Sequence, residues 1–175
     1  MRCISVVLPV SIVFILVSCS PIIDNNLVEC SEIIAKNALN YAIEYSNADT
    51  EYSWGGRDHL RSIKVDCSGL VVRCYQYAVN GTIYSLPFQD ATVNTFFNYW
   101  STKTDNPRKG DIIFMGDNIN NPTHMGLFVK EENAHIYFID STLKQEDNIN
   151  GVSVRFYPKD DIRFLSFGRL LVTHQ

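Results

Sequence analysis

The chain is short of three features that would each define a class of protein. It has no run of basic residues: 15 lysines and arginines are scattered among 19 acidic residues, for a formal net charge of −4. Nucleic-acid binding draws on a clustered basic footprint, so no nucleic-acid partner is expected. It has no CxxC pair, and its five cysteines in 175 residues are too sparse for a disulfide framework. Neither a structural zinc site nor any other metal or organic cofactor is expected. It also lacks internal repeats and long membrane-spanning stretches. At 46% apolar and 19% charged, it fits one globular domain better than a disordered, collagen-like or multi-spanning chain. Ten Phe, nine Tyr and two Trp can fill such a core, and a monomer is expected.

The extended apolar stretch from Cys3 to Val17 is broken by Ser5, Pro9 and Ser11 and falls short of the roughly 20 residues that a spanning helix needs. Behind Met1-Arg2 and ahead of the polar Asp24-Asn25-Asn26, it reads as a secretory signal over residues 1–18, with an uncleaved anchor helix as the alternative. Leu16-Val17-Ser18-Cys19 resembles the bacterial lipobox, in which cleavage before the cysteine frees its amine and thiol for acylation. The resemblance implies that Cys19 is lipidated. The protein would then be exported and held on a bacterial membrane, at its periplasmic or outer face, by several acyl chains. Residues 19–28 read as the tether and 29–175 as the folded domain. Cys30, Cys67 and Cys74 then remain in that domain, and a Cys30–Cys74 bridge stays open.

Within the domain, Ile33, Ile34, Ala38, Tyr41, Ala42 and Tyr45 recur at helical spacing after Ser31, a good cap, and predict a helix from Ser31 to Tyr45. Asn47 to Val65 reads as a loop. A second helix is expected from Cys67 to Val79, where Leu70, Val71, Cys74, Tyr77 and Ala78 share a face before Asn80-Gly81. A shorter one is expected within residues 90–100. Beyond Gly110 the period changes. Asp111 to Met115, His124 to Lys130, His135 to Ser141, Val152 to Tyr157 and Phe164 to Val172 are short, β-branched and aromatic, and are separated by turn clusters. Helices followed by a meander of strands predict an α+β domain.

A cysteine in the first turn of a helix meets unsatisfied N–H groups and the positive end of the helix dipole, which favour a thiolate. Cys67 occupies such a position, although a buried structural cysteine would fit there too. Gly69 in the same turn costs about 1 kcal/mol relative to alanine, so a close backbone approach is expected. His124 opens a predicted strand, where its imidazole could serve a cleft. Cysteine, histidine and a polar orienting group, distant in sequence and adjacent in space, form the recurring set of thiol hydrolases. Asp140 and His135, on the next strand, are rivals for the third role, with Asp140 preferred. His59 and His174 are weaker candidates.

Tyr52-Ser53-Trp54-Gly55-Gly56, Asp66-Cys67-Ser68-Gly69-Leu70-Val71, Leu86-Pro87, Lys109-Gly110-Asp111-Ile112-Ile113-Phe114 and His124-Met125-Gly126-Leu127-Phe128 resemble, in order and spacing, the motifs of NlpC/P60 cell-wall peptidases. The resemblance covers roughly residues 33–171. It implies a papain-like fold, with N-terminal helices packed on a mainly antiparallel sheet of five to six strands. It implies hydrolysis of peptidoglycan stem peptides, commonly at the γ-D-glutamyl bond to a diamino acid. Cys67 is then the nucleophile, His124 the general base and later acid, and Asp140 stands where the family usually has histidine. Tyr52 and Ser68 become the candidate substrate and oxyanion residues, and Trp54 is read as a packing residue. Two other readings stay open: an inactive anchored module that binds wall peptides or a partner hydrolase, and a related thiol amidase or acyltransferase.

Overall fold

The computed structural model describes residues 26–60 and 63–175. The signal segment and Cys19 lie outside the described residues. Helix α1 (Glu32–Asn47) begins where the Ser31 hydroxyl accepts a hydrogen bond from the Ile34 N–H, and buries one stripe that includes Ile34, Ala38, Ala42 and Tyr45. Helix α2 (Cys67–Val79) is capped by Asp66, and the short α3 (Val93–Tyr99) by Thr92. The three helices among the described residues fall within the segments where the sequence predicts helices.

The strands are β1 (Leu27–Glu29), β2 (Glu51–Tyr52), β3 (Lys64–Val65), β4 (Tyr84–Ser85), β5 (Ser101–Thr104), β6 (Ile112–Met115), β7 (His124–Glu132), β8 (His135–Lys144), β9 (Ile149–Pro158) and β10 (Phe164–His174). The main sheet runs β1-β10-β6-β7-β8-β9 with antiparallel neighbours, and β4 and β5 also pair with β10. Its eight strands exceed the expected five to six. The extra strands, β1, β4 and β5, are two to four residues long, too short for alternation to show. Leu27–Glu29, read as part of the tether, is paired with β10. The segment read as a plain loop contains the parallel β2/β3 ladder.

Strand β6 is buried along its whole length because both faces of the sheet are covered. Ile112 and Phe114 join the large core under α1 and α2, while Ile113 and Met115 join a smaller cluster with Phe128, Ile136 and Phe138 on the other face. Cys30 and Cys74 are both buried free thiols, so the bridge that the sequence left open does not form.

Gly110 sets the distance between α1 and the sheet. It has a φ of +90°, and a Cβ there would lie 1.9 Å from the Ala35 carbonyl oxygen. Both the backbone conformation and the space demand glycine. Gly110→Ala is expected to lower stability by about 2 kcal/mol or more, seen as a lower urea midpoint at an unchanged m-value.

Candidate active site

Asp66 organises the start of α2. Its Oδ1 accepts hydrogen bonds from the Gly69 N–H at 2.6 Å and the Ser68 hydroxyl at 3.0 Å, and its Oδ2 accepts from the Gly55 N–H at 2.8 Å. One carboxylate thus caps the helix and ties the Gly55-Gly56 turn to it. The fit is close: a Cβ on Gly69 would stand 2.0 Å from the Gly56 carbonyl oxygen, which is the backbone approach that glycine here predicted. Cys67 follows the cap as the first residue of α2 and is 8% exposed, whereas Cys30 and Cys74 are 1% and 0% exposed.

His124 starts β7, and its Nε2 donates to Asp140 Oδ2 on β8 at 2.5 Å. Gly126 makes room for this contact, since a Cβ there would lie 3.0 Å from Asp140 Cβ and 2.6 Å from the Ile139 carbonyl oxygen. Cys67 also stands close enough to the His124 ring to act on its charge. Burial opposes charge on the ring, but Asp140 and Cys67 outweigh it and raise the His124 pKa to about 10. Burial likewise favours the neutral form of Asp140, yet His124 and Arg155 more than compensate and hold its carboxyl below the usual range.

The structure therefore brings Cys67, His124 and Asp140 together. Tyr52 stands close enough to Cys67 and Asp66 to feel their charge, while burial, the larger influence, raises its phenol. The Ser68 hydroxyl is bonded to Asp66. His135 is not part of the cluster: it pairs with Glu132 at the far end of β7, and its Nδ1 donates to the Asn133 carbonyl at 2.8 Å. His59 bonds the Tyr77 hydroxyl, and His174 packs edge-on against Tyr84.

Two side chains at the site lie outside the sequence reading. Arg155, on β9, donates through Nε to Asp140 Oδ1 at 2.8 Å and through Nη2 to Oδ2. Its signal was a single arginine in the otherwise apolar and hydroxyl-bearing run Val152 to Tyr157. Ser141, next to Asp140, points to the opposite face and donates to the Val65 carbonyl at 2.6 Å, two residues before Cys67.

A crevice of about 360 Å³ opens beside Cys67, with Trp54, Arg57, Asp90, Asn94 and Pro122 among its walls. Trp54 is 89% exposed, which corrects its reading as a packing residue. The Gly55-Gly56 turn is fixed by Asp66 and holds the indole out at the crevice rim instead of under it. Arg57 and Asp90 pair at 2.5 Å along the same wall. Among the described residues, no group of His, Cys, Asp and Glu is arranged to hold a metal ion, and no helix is long and apolar enough to cross a membrane.

A cysteine at the start of a helix, set against a histidine on the neighbouring sheet, defines the papain-like α+β class. Within that class, the sequence model of the NlpC/P60 family matches residues 49–160, and the chain belongs to this family. No curated protein matches it. Among solved structures, the NlpC/p60 domain of peptidoglycan hydrolase SagA is 17% identical, with 81% of this chain and 98% of that chain covered and a TM-score of 0.46. Ly7917, in the structure described as containing the hydrolyzing product of MDP, is 10% identical with a TM-score of 0.50. The match covers 78% of this chain and 62% of Ly7917.

Proposed function

We propose that this protein is a cysteine peptidase that hydrolyses peptidoglycan stem peptides at the γ-D-glutamyl bond to a diamino acid. The observation that carries the reading is the placing of Cys67 beside a His124 ring that Asp140 holds from its other side, at the edge of an open crevice. Family membership supports the substrate class.

Asp140 accepts from Nε2 of His124, which leaves Nδ1 for the thiol. Cys67 sulfur attacks the scissile carbonyl carbon while the thiol proton resides on His124. Asp66 already takes the Gly69 and Leu70 N–H groups, so the developing oxyanion falls to the N–H groups of Cys67 and Ser68 and to the Tyr52 hydroxyl. His124 then protonates the leaving amine, and a thioester remains on Cys67. Water, deprotonated by His124, releases the acyl product and restores the thiol.

The test is a panel of defined muropeptides that differ in one linkage, incubated with the protein and with Cys67→Ala and read by mass spectrometry. Cleavage between D-glutamate and the diamino acid, absent in the variant, is the expected result. Binding without cleavage across the panel would instead identify an inactive anchored module. Cleavage of an amide outside the stem peptide would identify a thiol amidase.

The third role is assigned to Asp140. Asp140→Ala is expected to lower kcat by about 10²-fold or more, yet less than loss of the nucleophile. His135→Ala should stay within about twofold of the parent, since surface changes away from the site have small effects. A larger loss in His135→Ala would reverse the assignment.

The anchor belongs to the same proposal. Between Cys19 and the start of β1 at Leu27, the chain reaches at most about 28 Å when fully extended, so lipidation at Cys19 would hold the start of β1 within that distance of the membrane.

A further inference from the structure

We propose that Arg155 is a positioning residue for the reaction, and that Asp140 and Arg155 act as one unit in the third position. The inference rests on the Cys67–His124 reading given above and goes beyond it.

Asp140 is fully buried between β7 and β9, where a lone carboxylate would bind a proton. A protonated Asp140 could no longer receive the His124 N–H as a charged acceptor. His124 offers positive charge only while it holds its second proton, and that proton leaves with the departing amine. At that stage Asp140 needs another cation. The guanidinium of Arg155 supplies that cation. It also draws part of the carboxylate's field away from the ring, which makes the ring's proton easier to release.

The geometry suits this task. Nε and Nη2 reach the two carboxylate oxygens, which fixes the plane of the group, and Oδ2 is the oxygen that receives the His124 N–H. The third nitrogen, Nη1, donates to the Tyr157 hydroxyl at 2.7 Å. The guanidinium lies 5.0 Å from the Phe138 ring centre and 5.5 Å from that of Tyr157. Every arm is held. The charged and titratable groups facing the pair are His124 from β7, Cys67 from α2 beyond it, and Tyr157 from β9, itself flanked by Lys144 and Arg163. Stability alone is a poor reason to keep such a group, because buried ion pairs are often replaceable by apolar side chains without loss.

The experiment is a double-mutant cycle of Arg155→Gln and Asp140→Asn, with kcat, KM and the pH profile measured on a cleaved muropeptide. Arg155→Gln is expected to lower kcat by about tenfold or more, with KM within about twofold, and to move the acidic limb to higher pH. In the Asp140→Asn background it should change kcat by less than about twofold, because its effect runs through the carboxylate. Arg155→Lys, which keeps the charge and loses the fork, should hold the acidic limb while restoring kcat only in part. Tyr157→Phe removes one support from Arg155 and is expected to lower kcat by about two- to fivefold with Asp140 present and not at all with Asp140→Asn, which carries the cycle if Arg155→Gln fails to fold. Equal losses in both backgrounds, or lower thermal stability with kcat and the acidic limb unmoved, would overturn the inference and leave the Cys67–His124 reading standing. Parent-like kcat in Asp140→Asn would overturn both this inference and the assignment of Asp140, and full activity in Cys67→Ala would overturn the peptidase reading itself.

Discussion

Cys67→Ala is expected to abolish peptide cleavage, a loss of about 10⁴-fold or more, without loss of the fold. The thiol fills little space, and the residue begins α2 under a cap supplied by Asp66, so the substitution leaves the helix start intact. Its cost in packing should stay below about 1 kcal/mol. Circular dichroism and thermal melting would check that the inactive variant is folded. A second readout comes from the other two thiols of the domain. Burial raises the Cys30 pKa to about 11 and holds Cys74 well above its usual range, so neither offers a thiolate near neutral pH. Iodoacetamide should therefore modify the native domain at Cys67 first, and the domain of the variant hardly at all. Slow modification of Cys67 would point to the binding-module reading.

His124→Ala is the other large effect, expected to lower kcat/KM by about 10³-fold or more, because proton removal and proton donation both pass through this ring. Its pKa fixes the pH dependence. The folded protein raises it from 6.5 to about 10, since Asp140 and Cys67 outweigh burial. A raised histidine contributes stability that is fully present below pH 6.5 and is lost as pH rises through about 10. Asp140 works with the opposite sign: its lowered pKa contributes stability that is present above its ordinary 3.8 and is lost as pH falls. Urea midpoints of the parent minus those of His124→Ala should thus be largest in mildly acidic buffer and fall to a smaller, constant difference above about pH 10. In activity, the protonated ring should persist well past neutrality. An alkaline limb near the ordinary histidine value would mean that Asp140 and Cys67 do not hold its proton.

The parts of the fold that could be read from the sequence are those with enough residues to show a period. Ser31 before an apolar stripe, and Asp66 before Cys67 to Val79, mark helix starts through local chemistry that tertiary contacts do not alter. Strands β1 to β5 have two to four residues each and owe their pairing to distant partners. The third site residue stayed open for a related reason. His135 and Asp140 lie on one strand, and choosing between them needs the register of β8 against β7, which is shifted by an irregularity between Phe128 and Lys130. Arg155 was hidden in the same way, because its partner is set by the β8/β9 pairing, which places it opposite Phe138 and within reach of Asp140. Trp54 misled because large aromatic side chains are usually covered, and only the fixed Gly55-Gly56 turn shows that this one is not.

Asp140 and Ser141 are consecutive, yet one grips the imidazole and the other grips the chain just ahead of the sulfur. Adjacent links of a single backbone therefore act as a common gauge for two groups that the polypeptide otherwise joins only by a long detour. When β8 is nudged along its neighbours, both grips travel together. The gap between sulfur and ring should survive breathing motions that would pull apart partners mounted on independent supports.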